Sequence, residues 1–136
     1  MMLGAIAKAK KLGIELVPDP DFDSPAAWTI DQAFGVSIAR GQLVINEYAG
    51  LSTSTYPSVA LNMVEGVEYN YEIVVSQLDN QGGVLQVDST GTTLWQVSDG
   101  IGTFTGTYTT DYGPYFNTIT SFPGSVTFDR ISIKEV

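Results

Sequence analysis

The last dozen residues constrain this chain more than any other stretch. Residues 125–136, Ser-Val-Thr-Phe-Asp-Arg-Ile-Ser-Ile-Lys-Glu-Val, read as one long closing β-strand. A terminal strand is ordered only when it is paired, so the fold is expected to close with its C-terminus locked in a sheet. The strand also carries an irregularity. Val126 and Phe128 face one way, but strict alternation sends Ile131 and Ile133 the other way. Either a β-bulge near Asp129 and Arg130 returns all four to one core face, or both faces are covered there.

Upstream, the same period of two recurs between turn residues. Short strands are expected at 14–18, 27–30, 36–39, 42–46 and 58–63. Residues 67–77 give the clearest signal: Val67, Tyr69, Tyr71, Ile73 and Val75 share one face, and Glu68, Asn70, Glu72 and Ser76 the other. That is a half-buried strand of an antiparallel sheet. A loop at 79–83 reads as a hairpin, followed by strands at 84–88 and 92–97 around a tight turn at 89–91. Strands at 102–109, 115–119 and 124–135 complete the set. Fourteen glycines and no helical period after residue 13 fit an all-β chain. The expected fold is a two-sheet antiparallel β-sandwich of jelly-roll type, with about ten strands. It occupies residues 14–136 as a single domain, and residues 1–13 form a short N-terminal arm.

Charge separates these two parts. The arm holds Lys8, Lys10 and Lys11 and no acid, whereas residues 14–136 hold three basic and fifteen acidic residues. An acidic body repels polyanions, so no nucleic-acid partner is expected. No apolar run approaches the ~18 residues that span a bilayer, so no membrane partner is expected either. The arm is either a frayed terminus or an anchor. As an anchor, Leu3, Ile6 and Leu12 supply the apolar contacts, with Lys8, Lys10 and Lys11 beside them.

The chain has neither Cys nor His. This removes thiolate chemistry, the commonest general base and the commonest metal ligand. No motif singles out a pair of the fifteen acids for glycoside hydrolysis, so the chain is read as a non-enzyme. Sugar binding needs exposed aromatic platforms flanked by polar groups. Trp95, Tyr112 and Tyr115 are the candidates for contacting a glycan, with Tyr108 and Phe116 nearby in sequence. The competing reading places these rings in the core, as expected for Trp28.

Three marks carry a resemblance. Leu16-Val-Pro-Asp-Pro-Asp-Phe-Asp23 followed by Trp28-Thr29, then Gly66-Val-Glu-Tyr-Asn-Tyr71, then Phe128-Asp129-Arg130-Ile131-Ser132 occur in an order that spans the domain. Together they resemble small structural proteins of tailed bacteriophages that carry a carbohydrate-binding-module-like jelly roll. In the opening turn, Asp-Pro-Asp replaces the usual glycine-bearing sequence. The resemblance implies a structural calcium held by Asp21, Asp23 and Asp129, and no other cofactor; the alternative is that these are solvated turn aspartates and one strand residue. It also implies a virion protein assembled in the bacterial cytoplasm, a homo-oligomer (a trimer would match three-fold lattice positions) that contacts a major capsid or tail protein. Two functions follow. The first is a capsid decoration, cement or head-fibre subunit acting by protein–protein contact. The alternative is a tail-fibre-associated module that recognises a host-surface glycan.

Overall fold

Nine strands form where the alternation places them, in a computed structural model that describes residues 13–29, 36–46, 58–61, 63–80, 85–89, 92–109, 115–120 and 124–136. They are β1 (Val36–Ala39), β2 (Gln42–Asn46), β3 (Ser58–Ala60), β4 (Glu68–Asn80), β5 (Leu85–Ser89), β6 (Thr92–Gln96), β7 (Gly102–Thr109), β8 (Tyr115–Thr120) and β9 (Gly124–Glu135). One sheet has the order β1-β2-β9-β4-β7 and the other β3-β8-β5-β6, with every neighbouring pair antiparallel. Two antiparallel sheets with β9 inside one of them make the expected jelly-roll sandwich. Among the described residues no helix is long and apolar enough to cross a membrane.

The closing strand runs almost the full depth of its sheet. It pairs with β4 along its length and with β2 through residues 125–128. The alternation problem is solved by a bulge. Val74 pairs with Arg130 and Val75 with Phe128, which leaves Asp129 as an extra residue on β9. A second shift leaves Ser76 as an extra residue on β4. With these in place Val126, Phe128, Ile131 and Ile133 are all fully buried. Burying an isoleucine is worth about 2 kcal/mol, so a strictly alternating strand would forfeit several kcal/mol.

The core fills the space between the sheets. Tyr69, Ile73 and Val75 point into it from β4, as their alternation requires. Trp28 is buried too, and tilts against Phe22 with ring centroids 5.3 Å apart. Trp95 crosses from the four-stranded sheet to meet Phe128 edge-on at 5.4 Å. The Tyr108 and Ser89 hydroxyls bond at 2.7 Å, tying β7 to β5 across the sandwich.

Three local expectations change. Residues 14–18 form a single bridge, Glu15 to Lys134, rather than a strand. Where a strand was expected from residue 27, Pro25–Ala27 is a short 3-10 helix, because proline's fixed φ suits a first helical turn. The 79–83 loop does not close a hairpin, since β4 and β5 lie in different sheets. The β1–β2 turn is a tight one: Arg40 and Gly41 both have positive φ (57° and 76°), the requirement of a two-residue type I′ hairpin.

The buried phenol gives a pH test. Burial pushes Tyr108 up from 10.0 to about 12, with the Ser89 hydroxyl opposing and Tyr69 adding to the rise. The folded state therefore holds this proton more tightly than the unfolded chain. The stability it confers is intact below pH 10 and is lost as pH rises to about 12. Denaturant melts across that window should show the fall. Tyr108→Phe should flatten it, while costing about 1 kcal/mol at neutral pH through the lost Ser89 bond.

Candidate functional site

Outward residues of a sandwich are the ones left for partners, and each sheet offers a different set. On the five-stranded sheet, the strand register lines up two polar rows: Ser132, Glu72 and Thr105, then Lys134, Asn70 and Thr107. These six residues, with Tyr71 and Gly106, line a groove of about 380 Å³.

Beside this groove, Arg130 gathers three carboxylates. Its guanidinium donates to Glu72 at 2.8 Å and Asp21 at 2.5 Å, and lies 3.6 Å from Glu15. The hydrogen bond to Asp21 holds Arg130 above its ordinary pKa, burial opposes it, and Glu72 adds to it. One side chain on β9 thus joins the opening segment, the turn after it and β4. Glu15 does more than pair with charge. Its carboxylate accepts the Ile133 amide at 2.9 Å, the Val17 amide at 3.1 Å and the Ser132 hydroxyl. It fastens the opening segment along the second half of β9, where Leu16 N also donates to Ile133 O at 2.8 Å.

The expected calcium ligands do not converge. Among the described residues no group of three or more acids is placed to hold a metal ion. Asp21 is taken by Arg130. Asp129 lies in the bulge, where Oδ1 accepts from Ser76 Oγ at 2.8 Å and Gln42 Nε2 at 2.9 Å. Asp23 is exposed and contributes its backbone amide to Asp19. The residue that organises the opening turn is Asp19, which the sequence reading passed over. Its two carboxylate oxygens accept the amides of Asp23 (2.8 Å) and Ser24 (3.0 Å), and its carbonyl accepts Trp28 Nε1 at 3.1 Å. The Asp21–Asp23–Asp129 trio does not fit a divalent ion.

The four-stranded sheet turns Gln86 and Asp88 outward, because Val87 and Ser89 on either side of Asp88 are fully buried. Gln86 Nε2 donates to Asp88 Oδ2 at 2.9 Å. Asp88 Oδ1 has no hydrogen-bond partner although the atom is shielded from solvent. Leaving a shielded acceptor unmet costs about 1–3 kcal/mol, more when it is charged. Register places Thr93 and Asn117 on either side of Asp88. The backbone of Tyr115 pairs with Ala60 on β3, and its side chain lies outside the described residues.

The other predicted contacts divide. Trp95 is a core residue, not a surface platform. Val87 pairs with Trp95 and Asp88 with Thr93, so Leu94 is an extra residue and both Leu94 and Trp95 turn inward. The Trp95 indole N–H donates to Gly100 O at 3.1 Å. Tyr108 is buried as well. Tyr112 and the anchor residues Leu3, Ile6, Lys8, Lys10, Lys11 and Leu12 lie outside the described residues.

The fold is that of the carbohydrate-binding jelly rolls. No protein-family model and no curated protein matches the chain. Among solved structures it is similar to the CBM22-1 xylan-binding domain of Paenibacillus barcinonensis Xyn10C, at 15% identity and TM-score 0.58, over 93% of this chain and 97% of that one. It is also similar to the second N-terminal cellulose-binding domain of Cellulomonas fimi β-1,4-glucanase C, at 13% identity and TM-score 0.56, over 90% and 95%. A third is the CBM22-1–GH10 part of Clostridium thermocellum xylanase 10B, complexed with xylohexaose, at 14% identity and TM-score 0.55, over 93% of this chain and 28% of that one. At such identities the likeness is one of fold.

Arg130 supplies a test of this arrangement. Its three pairs are partly exposed, so each is worth up to about 1 kcal/mol. Arg130→Gln should lower stability by about 1–2 kcal/mol in dilute buffer and less in 1 M salt. Wild-type melting temperature should not move with added calcium or with chelator.

Proposed function

We propose that this domain is a non-catalytic carbohydrate-binding module that takes a neutral polysaccharide on the outward face of its four-stranded sheet. The observation that carries this reading is the outward Gln86–Asp88 pair, on a fold similar to that of xylan- and cellulose-binding domains. A sugar presents hydroxyl donors and acceptors along its equator. The Gln86 amide, held by Asp88 Oδ2, has a second N–H to offer, and a carboxylate oxygen accepts more than one hydrogen bond.

The groove on the opposite sheet is the weaker candidate. Glu72 is engaged by Arg130 and Ser132 by Glu15. The virion-subunit reading rests on short sequence marks and the basic arm, whereas the likeness of fold to xylan- and cellulose-binding domains extends over nearly the whole chain.

Calorimetric titration with xylo- and cello-oligosaccharides tests the proposal. A hydrogen bond to a charged group contributes about 1.5–3 kcal/mol, so Asp88→Ala should weaken binding by roughly 10-fold or more. Lys134→Ala, on the other face, should leave affinity unchanged. If Lys134→Ala weakens binding and Asp88→Ala does not, the ligand lies in the groove and the assignment is wrong.

A further inference from the structure

β7 is a long edge strand with none of the usual protection. It pairs with β4 without a break from Glu68–Thr109 to Val75–Gly102, and no strand lies on its other side among the described residues. The other sheet ends are short: β1 has four residues, β3 three and β6 five. Natural edges are blunted by charge, proline, bulges or brevity. β7, Gly-Thr-Phe-Thr-Gly-Thr-Tyr-Thr, has eight residues, no charge and no proline, and its pairing shows no bulge.

Its sequence is also symmetric. Reading outward from Gly106 in both directions gives Thr105 and Thr107, then Phe104 and Tyr108, then Thr103 and Thr109. We propose that β7 pairs antiparallel with β7 of a second copy of this chain, about a two-fold axis at Gly106. In that register Gly106 meets Gly106, Thr105 meets Thr107, Phe104 meets Tyr108 and Thr103 meets Thr109 of the other copy. Every pair is like with like, as an isologous interface requires. Thr–Thr and aromatic–aromatic pairs are favourable cross-strand neighbours. The chain carries −9, and this edge lets two copies meet along a strand with no carboxylate on it. The product is one continuous ten-stranded sheet, and a dimer rather than a trimer. Thr103, Thr105, Thr107 and Thr109 are exposed in the single chain, so changes there leave the core untouched.

Sedimentation equilibrium from micromolar to millimolar protein tests this. Wild type should show a concentration-dependent monomer–dimer equilibrium. T105K/T107K sets lysine directly opposite lysine and should weaken dimerisation at least tenfold, with circular dichroism and melting temperature confirming the fold. T105K/T107E sets each introduced lysine opposite an introduced glutamate and should restore the dimer. A wild-type chain that stays monomeric at millimolar concentration overturns the proposal. So does equal dimerisation, or equal loss of it, in the two double variants.

Discussion

The kink that keeps the core face of the closing strand whole is tied to both neighbouring strands through one oxygen. Asp129 Oδ1 accepts from Ser76 on β4 and Gln42 on β2, the two strands that flank β9. Asp129 and Ser76 are the extra residues of facing bulges, so the bond joins the two places where the ladder is interrupted. An unpaired bulge exposes backbone groups that need partners, and a short polar side chain at the bulge offers a way to fix its geometry. Because the bulge is fixed, Phe128 and Ile131 both point inward although three residues apart. Phe128 is the ring that Trp95 meets from the other sheet. The packing of one sheet on the other therefore depends on this kink.

The same shift sorts the outward residues. Past the bulge, Arg130, Ser132 and Lys134 emerge together on the face away from the core. Arg130 and Ser132 are consumed in fastening the opening segment through Glu15 and Asp21. This face is largely occupied by the fold's own closure. The four-stranded sheet does not share that work. Its outward Gln86 and Asp88 pair with each other rather than with the opening segment, and recognition is proposed there.

Much of this was legible in the sequence where period and turn chemistry agree. The strand at β4 and the kink in β9 both rest on local patterns, and both appear in the structure. The misreadings share a cause. Trp95 is open to a surface or a core reading, and nothing near Thr92–Gln96 signals the extra residue at Leu94 that turns it inward. Asp21 and Asp129 are paired with residues 109 and 53 positions away, which no local spacing reveals. Asp19 could have been found, since an Asp four and five residues before amides that need acceptors is a recognisable turn-capping pattern. Asp88 carried the weakest signal. Gln-Val-Asp-Ser marks an alternating strand and says nothing of an oxygen without a partner.

The most direct test is an amide chemical-shift map of the isotope-labelled protein titrated with a xylo-oligosaccharide. Perturbations should gather on β5, β6 and β8 around Gln86, Asp88, Thr93 and Asn117, and leave the outward rows of β4, β7 and β9 unmoved. Perturbations confined to Asn70, Thr107 and Lys134 would place recognition on the five-stranded sheet and contradict the account. A spectrum unmoved by xylo- and cello-oligosaccharides alike would contradict it as well.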